Sequence, residues 1–232
     1  MPVSREGENL ELSQLYKALA AEYDLTETHY TFGGHSFSFL SVLDSYALLD
    51  RISPEEFIKD EQMPYWAEIW PSAITLSSFI ADELPLVGQR VIEIGAGVGM
   101  VSVVAAWRGA NVLATDYSLE ALRFARYNGL KNRVNLVYEK LDWRLVQCSK
   151  QFDQLFAADV LYERVNLLPI AMAIDKLLKP DGVAYLADPR RRLAEQFLEL
   201  AVENNFVITS LPRKYIGGSK TVAVNIYKIT RQ

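Results

Sequence analysis

The sequence predicts an α/β fold: a doubly wound, mostly parallel sheet of seven strands, preceded by a helix and hairpin extension. Three observations carry this. From residue 71 onward, apolar strand-like runs alternate with amphipathic helical runs, as in a parallel sheet covered on both faces. One run, "QRVIEI", opens into glycines at alternate positions, Gly95, Gly97 and Gly99. The last two runs, "FVITSLP" and "TVAVNIYKI", are separated by a short link. So short a link makes a hairpin, which leaves one strand antiparallel near the sheet edge.

The elements follow in order. Residues 9–23, "NLELSQLYKALAAEY", place Leu12, Leu15, Leu19 and Tyr23 at helical spacing. "HYTFGGHSFSFL" alternates about Gly33-Gly34, which predicts a β-hairpin with His29 and His35 as structural residues. "SPEEFIKD" predicts a short helix with Ser53 as N-cap and Pro54 in its first turn. Residues 1–62 therefore form an extension capping the core, too poor in apolar residues to fold alone, and residues 63–232 form the main domain. In that domain "PSAITLSSFIADEL" is a helix, "QRVIEI" a strand, and "VGMVSVVAAWRG" a helix closed by Gly109. "ANVLATD" is a strand, "SLEALRFARYNGL" a helix ending near Gly129, and "RVNLVYEKL" and "QFDQLFAAD" are strands. "LLPIAMAIDKLLKPDG" is a helix with a Pro-Asp-Gly stop, "GVAYLAD" a strand and "RRLAEQFLELAVENN" a helix, with Pro189 at or before its start.

Composition narrows the class. Half the 232 residues are apolar, enough for a real core. The net charge of −5, without a long basic run, argues against nucleic acid as a partner. Cys148 is the single cysteine, so no disulfide framework and no metal-ligand cluster is expected. The polar first residues and the lack of a long apolar run predict a cytoplasmic protein without a membrane partner.

The glycine turn poses the question of its ligand. A dinucleotide fingerprint needs a third glycine at the position of Met100, but it comes one residue early, at Gly99. Glu93, two residues before Gly95, suits a cationic group better than a pyrophosphate. S-adenosylmethionine carries an ammonium and a sulfonium. Asp116, followed by Tyr117 at the end of the next strand, can accept hydrogen bonds from both ribose hydroxyls. Alone it could equally cap the next helix. In "EKLDW", Asp142 could accept from an adenine amine and Trp143 could cover the ring, or the two could make a simple turn with a packing Trp.

The run from Met63 to about Arg192 resembles the seven-stranded, Rossmann-like S-adenosylmethionine-dependent methyltransferases. Within them it is most similar to the protein lysine methyltransferases that modify non-histone proteins (methyltransferase family 16). "MPYWAEIWPSA" and "ADPRR" resemble the branch acting on the β subunit of electron transfer flavoprotein, which has a glycine where this chain has Arg190. "ADVLYE" is similar to the family's Asp-x-x-Tyr motif, here Asp159 and Tyr162. The resemblance implies strand order 3-2-1-4-5-7-6, S-adenosylmethionine as donor with S-adenosylhomocysteine as product, and a substrate lysine entering over the fourth strand.

Methyl transfer from a sulfonium is an in-line displacement, so alignment does most of the work. Asp159 is expected to orient the amine beside the cofactor, and Tyr162 to shape the channel. Trp70 is expected against the sulfonium end, where an aromatic face can meet a cation, or with Trp66 as a clamp holding the extension. Trp66, Tyr162 and Asp188 are the expected substrate contacts, and Arg190, Arg191 and Arg192 read as a solvated helix start. A small-molecule methyltransferase and a non-catalytic adenosyl-binding module are the competing functions.

Overall fold

The computed structural model describes residues 5–51, 63–147, 151–218 and 220–232. The short helix expected at Ser53 and Pro54, and Cys148, lie outside them. The chain begins with α1 (Arg5–Glu22), β1 (Leu25–Phe32) and β2 (His35–Val42). It continues through α2 (Pro71–Glu83), β3 (Arg90–Ile94), α3 (Met100–Trp107), β4 (Asn111–Asp116), α4 (Leu119–Lys131) and β5 (Leu136–Lys140). Then come β6 (Phe152–Ala158), α5 (Leu167–Leu177), β7 (Leu178–Asp188), α6 (Arg192–Glu203), β8 (Phe206–Gly217) and β9 (Lys220–Arg231). Single 3-10 turns at Tyr65–Ala67, Trp143–Leu145 and Arg164–Asn166 punctuate the loops.

Seven strands form one sheet in the order β5-β4-β3-β6-β7-β9-β8. Numbered along the sheet-forming chain this is 3-2-1-4-5-7-6. β9 slots between β7 and β8 and runs antiparallel to both; the other described pairings are parallel. The central strands are buried on both faces because helices cover each side. Connections from β3 lead one way and from β6 the other, so a crevice opens at the carboxyl ends of these two neighbours.

The extension packs as a flank. Leu19 of α1 and Leu40 of β2 bury against Phe124 and Tyr127 of α4. Phe32, Phe37 and Phe39 join the core formed by α2 and α3. Gly33 and Gly34 turn the hairpin with φ of 54° and 75°, which suits a two-residue loop. His35 stacks on Trp107, with ring centroids 5.1 Å apart. Asn128, fully buried in α4, accepts from the Leu40 N–H and donates to the carbonyls of Leu40 and Val98. One side chain thus ties the hairpin to the glycine turn.

α4 ends at Lys131, two residues past Gly129, as expected of a helix ending near that glycine. One expected helix end moves. Pro180-Asp181-Gly182 falls within β7, where the pairing to β6 shifts register, and the helix before it has already ended at Leu177.

Candidate active site

β3 ends at Ile94, and the chain turns through Gly95, Gly97 and Gly99 with φ of 67°, 53° and 85°. Side chains rarely adopt these angles. Space is a second constraint: a Cβ on Gly99 would lie 2.7 Å from the Ala125 Cβ, and one on Gly97 3.3 Å from the Trp66 carbonyl oxygen. A Cβ on Gly95 would meet Val160 and Trp143 at 3.0 and 3.1 Å.

The cleft over this turn gathers most of the predicted residues: Trp66, Trp70, Glu93, Asp116, Tyr117, Asp142, Trp143, Asp159 and Tyr162 all border it. Asp116 is 9% exposed, and its two oxygens accept from the N–H groups of Gly97 and Ser118, each at 2.8 Å. Ser118, not Asp116, caps α4. Burial pushes the Asp116 carboxyl up, and those backbone bonds hold it down. A third backbone bond, from Tyr117, also reaches this carboxylate, and a carboxylate can accept about four in all. Glu93 is 1% exposed and accepts from the Ser102 hydroxyl; burial pushes its carboxyl up to about 8.

Asp142 closes the turn after β5. Its carboxylate accepts from the Arg144 N–H at 2.9 Å and from the guanidinium at 2.9 to 3.1 Å. That guanidinium and Lys140 both lie over the Tyr117 ring. Trp143 packs partly buried beside the glycine turn.

β6 delivers Asp159 at its carboxyl end with φ of 63°, its N–H bonded to the Ala187 carbonyl at 2.9 Å. A non-glycine residue in this region is strained, and such strain concentrates at functional sites. The carboxylate is buried and forms an ion pair with Arg191. Asp188, 0% exposed, accepts from the Arg191 N–H at 2.6 Å and lies 3.4 Å from the same guanidinium. This corrects two expectations. Asp188 is sealed at the end of β7 and cannot touch substrate, because Arg191 folds over it. Arg191 is no solvated helix start, because two buried carboxylates hold it.

Tyr162 stands near Tyr65, with ring centroids 4.8 Å apart, and Trp70 donates its indole N–H to the Tyr65 carbonyl at 2.8 Å. Burial raises the Tyr162 phenol far above its ordinary value. The Trp66 ring is committed elsewhere: it packs on Tyr23 and Phe124 at 6.0 and 5.5 Å. Trp66 thus borders the cleft and also joins its wall to the extension. Tyr65 was legible only as one aromatic in "MPYWAEIW", and Arg191 only as one of three arginines.

Residues 57–204 match the profile described as lysine methyltransferase. The chain belongs to the lysine methyltransferase family. S-adenosylmethionine is the methyl donor of that family. The chain is 35% identical over 155 residues to a mouse protein described as protein-lysine methyltransferase METTL21E, covering 59% of this chain and 63% of that one. It is 30% identical over 137 residues to a ubiquinone biosynthesis O-methyltransferase of Xylella fastidiosa, covering 58% and 55%. The chain thus spans roughly half to two thirds of these relatives' length. Among solved structures, a ribosomal protein L11 methylase from Lactobacillus delbrueckii matches with a TM-score of 0.55 at 24% identity, covering 68% of this chain and 77% of that one. A precorrin-6y methyltransferase from Geobacter metallireducens matches with a TM-score of 0.56 at 19% identity, covering 69% and 87%. These two likenesses establish the fold.

The cleft's chemistry fits such a donor. It offers a buried carboxylate at Asp116, apolar and aromatic walls at Val160 and Trp143, and acidic groups at Glu93 and Asp159.

Proposed function

We propose that this member of the family is an S-adenosylmethionine-dependent protein lysine N-methyltransferase acting on a non-histone protein. The observation that carries the reading is the placement of Asp159 and Tyr162 in the same cleft as the glycine turn and Asp116. When bound, S-adenosylmethionine supplies a methyl group on a sulfonium and leaves as S-adenosylhomocysteine. Asp116 would accept from the ribose hydroxyls, Tyr117, Asp142 and Trp143 would hold the base, and Glu93 and Trp70 would meet the cationic end. Gly95 and Gly97 would let the backbone approach, while Gly99, expected with them, does not line the cleft and fits the turn against Ala125.

The amine nucleophile must arrive neutral, although a free lysine titrates at about 10.4. Desolvation and a neighbouring sulfonium both favour the neutral form. Asp159 orients the amine through a hydrogen bond. Its Arg191 partner cancels the charge that would otherwise stabilise an ammonium. Tyr162 keeps its proton, because burial raises its phenol, and it shapes the channel with Tyr65 and Trp70.

The Xylella relative keeps a small-molecule acceptor as the second reading. Against it, no described residue of 5–51 lines the cleft, so the described extension does not roof it into a closed pocket. The reading includes a domain boundary near residue 62 and a cytoplasmic setting. Among the described residues no helix is long and apolar enough to cross a membrane, and no group of three metal-ligating side chains forms. Incubating the protein with methyl-labelled cofactor and cell extract, followed by mass spectrometry, tests it. Label on a protein lysine is expected; label confined to small molecules would overturn the lysine assignment.

A further inference from the structure

Asn166 was not among the residues expected at the site. It ends the 3-10 turn Arg164–Asn166, directly before α5, and borders the cleft seven residues after Asp159. It is 5% exposed. Its Nδ2 donates to a Glu163 carboxylate oxygen at 2.8 Å, an acceptor-only partner that fixes which end of the amide is nitrogen. Among the described residues its Oδ1 is buried with no hydrogen-bond partner. The side chain makes no capping bond to α5, so helix capping does not account for it. An unpaired buried acceptor costs stability, and retention at a ligand cleft calls for a partner that arrives with the ligand.

We propose that Asn166 is a second acceptor-orienting residue: its Oδ1 takes a hydrogen bond from an N–H of the amine being methylated, in the cleft that Asp159 also borders. The inference rests on the lysine reading above. A neutral lysine amine has two N–H groups and one lone pair. Two fixed acceptors, Asp159 and Asn166, hold the N–H groups and leave the lone pair aimed along the transfer axis. An amide suits the second place better than a carboxylate. It orients the amine without adding a negative charge that would favour the protonated, unreactive form. The Glu163 contact supplies the rigidity this task needs.

The test is Asn166→Leu, with Asn166→Ala as a second variant. Three measurements are made: thermal unfolding, calorimetric affinity for S-adenosylhomocysteine, and methyl transfer to lysine in cell extract at limiting acceptor. Leu removes the unpaired buried acceptor but also the Nδ2 bond to Glu163, so the two effects offset, the melting temperature should change little, and product affinity should be unchanged. Transfer should fall roughly fivefold or more, as the loss of one neutral hydrogen bond predicts. The loss should appear in KM for the acceptor or in kcat, with none in cofactor binding. Lysine transfer at the wild-type rate in both variants overturns this inference alone, as does a fall in transfer matched by an equal fall in product affinity. Label on an atom other than nitrogen in the wild type overturns the lysine reading and this inference together.

Discussion

Arg191 forms an ion pair with Asp159 while its own backbone N–H and guanidinium hold Asp188. Two carboxylates from neighbouring strands, β6 and β7, thus share one cation across the strand ends. Burial pushes the Asp188 carboxyl up, and Arg191 pulls it back. Replacing Arg191 with Met leaves both acids buried without a counter-charge. Because Arg191 itself keeps 29% of its side-chain exposure, water can relieve part of that cost. A loss of about 3 kcal/mol in urea unfolding is expected, at the low end for breaking a buried pair. Adding Asp188→Asn should recover part of it. Methyl transfer should fall, because Asp159 loses its orientation, while cofactor affinity holds. Equal stability of Arg191→Met and wild type would show the bridge to be idle.

The glycine turn makes a sharper prediction about space than about flexibility. Gly99→Ala places a Cβ 2.7 Å from Ala125 Cβ and 2.9 Å from its Cα, in a backbone conformation of φ 85°. Neither contact is with a flexible side-chain end. A loss of about 2 kcal/mol or more is expected from the left-handed angle and the overlap together. Gly34→Ala, at φ 75° but with nothing within 4 Å, should cost only the angular part. Comparing their denaturation midpoints separates the two terms.

Glu93 should make stability depend on pH. Its carboxyl is pushed up to about 8 by burial, against an ordinary 4.5, while Ser102 works the other way. The native state therefore holds this proton more tightly than the unfolded chain does. The contribution is fully present below the ordinary carboxylate value and is lost as pH rises through about 8. Glu93→Gln keeps an acceptor for the Ser102 hydroxyl and cannot ionise. Its stability advantage over wild type should grow between about pH 5 and pH 9, read by urea unfolding. Asp116 is also pushed up but is common to both proteins. A cationic ligand beside Glu93 would favour its ionised form, so cofactor binding near neutral pH should release a proton in wild type. Calorimetry in buffers of different ionisation enthalpy should show that release diminished in Glu93→Gln.

The sheet order was legible because strand and helix periods alternate without interruption from Pro71, and because the last two strands had too short a link to be parallel. The glycine turn was legible because Gly95, Gly97 and Gly99 have a spacing tied to one backbone geometry. The acceptor side was not. Nothing distinguishes Arg191 from Arg190 and Arg192 in the sequence, since its role depends on two carboxylates brought from different strands. Asp188 sits at a strand end, as Asp159 does, and only the folded chain shows that one is sealed and the other borders the cleft.

Arg190 gives a prediction of the opposite sign. It lies at φ 62°, in the left-handed region, between two residues that the Asp159–Asp188 bridge fixes in place. A side chain at such an angle costs on the order of 1 kcal/mol, and glycine removes that cost while adding some disorder to the unfolded chain. The side chain returns little, since its contact with Asn225 is long, at 3.2 Å, and exposed. Arg190→Gly should therefore raise stability by about 0.5 to 1 kcal/mol. Arg190→Val, with a branched side chain at the same angle, should lower it. Arg190 does not border the cleft, so methyl transfer should be unchanged in the glycine variant. A glycine variant less stable than wild type would mean that the arginine contributes more through Asn225 than the strain costs.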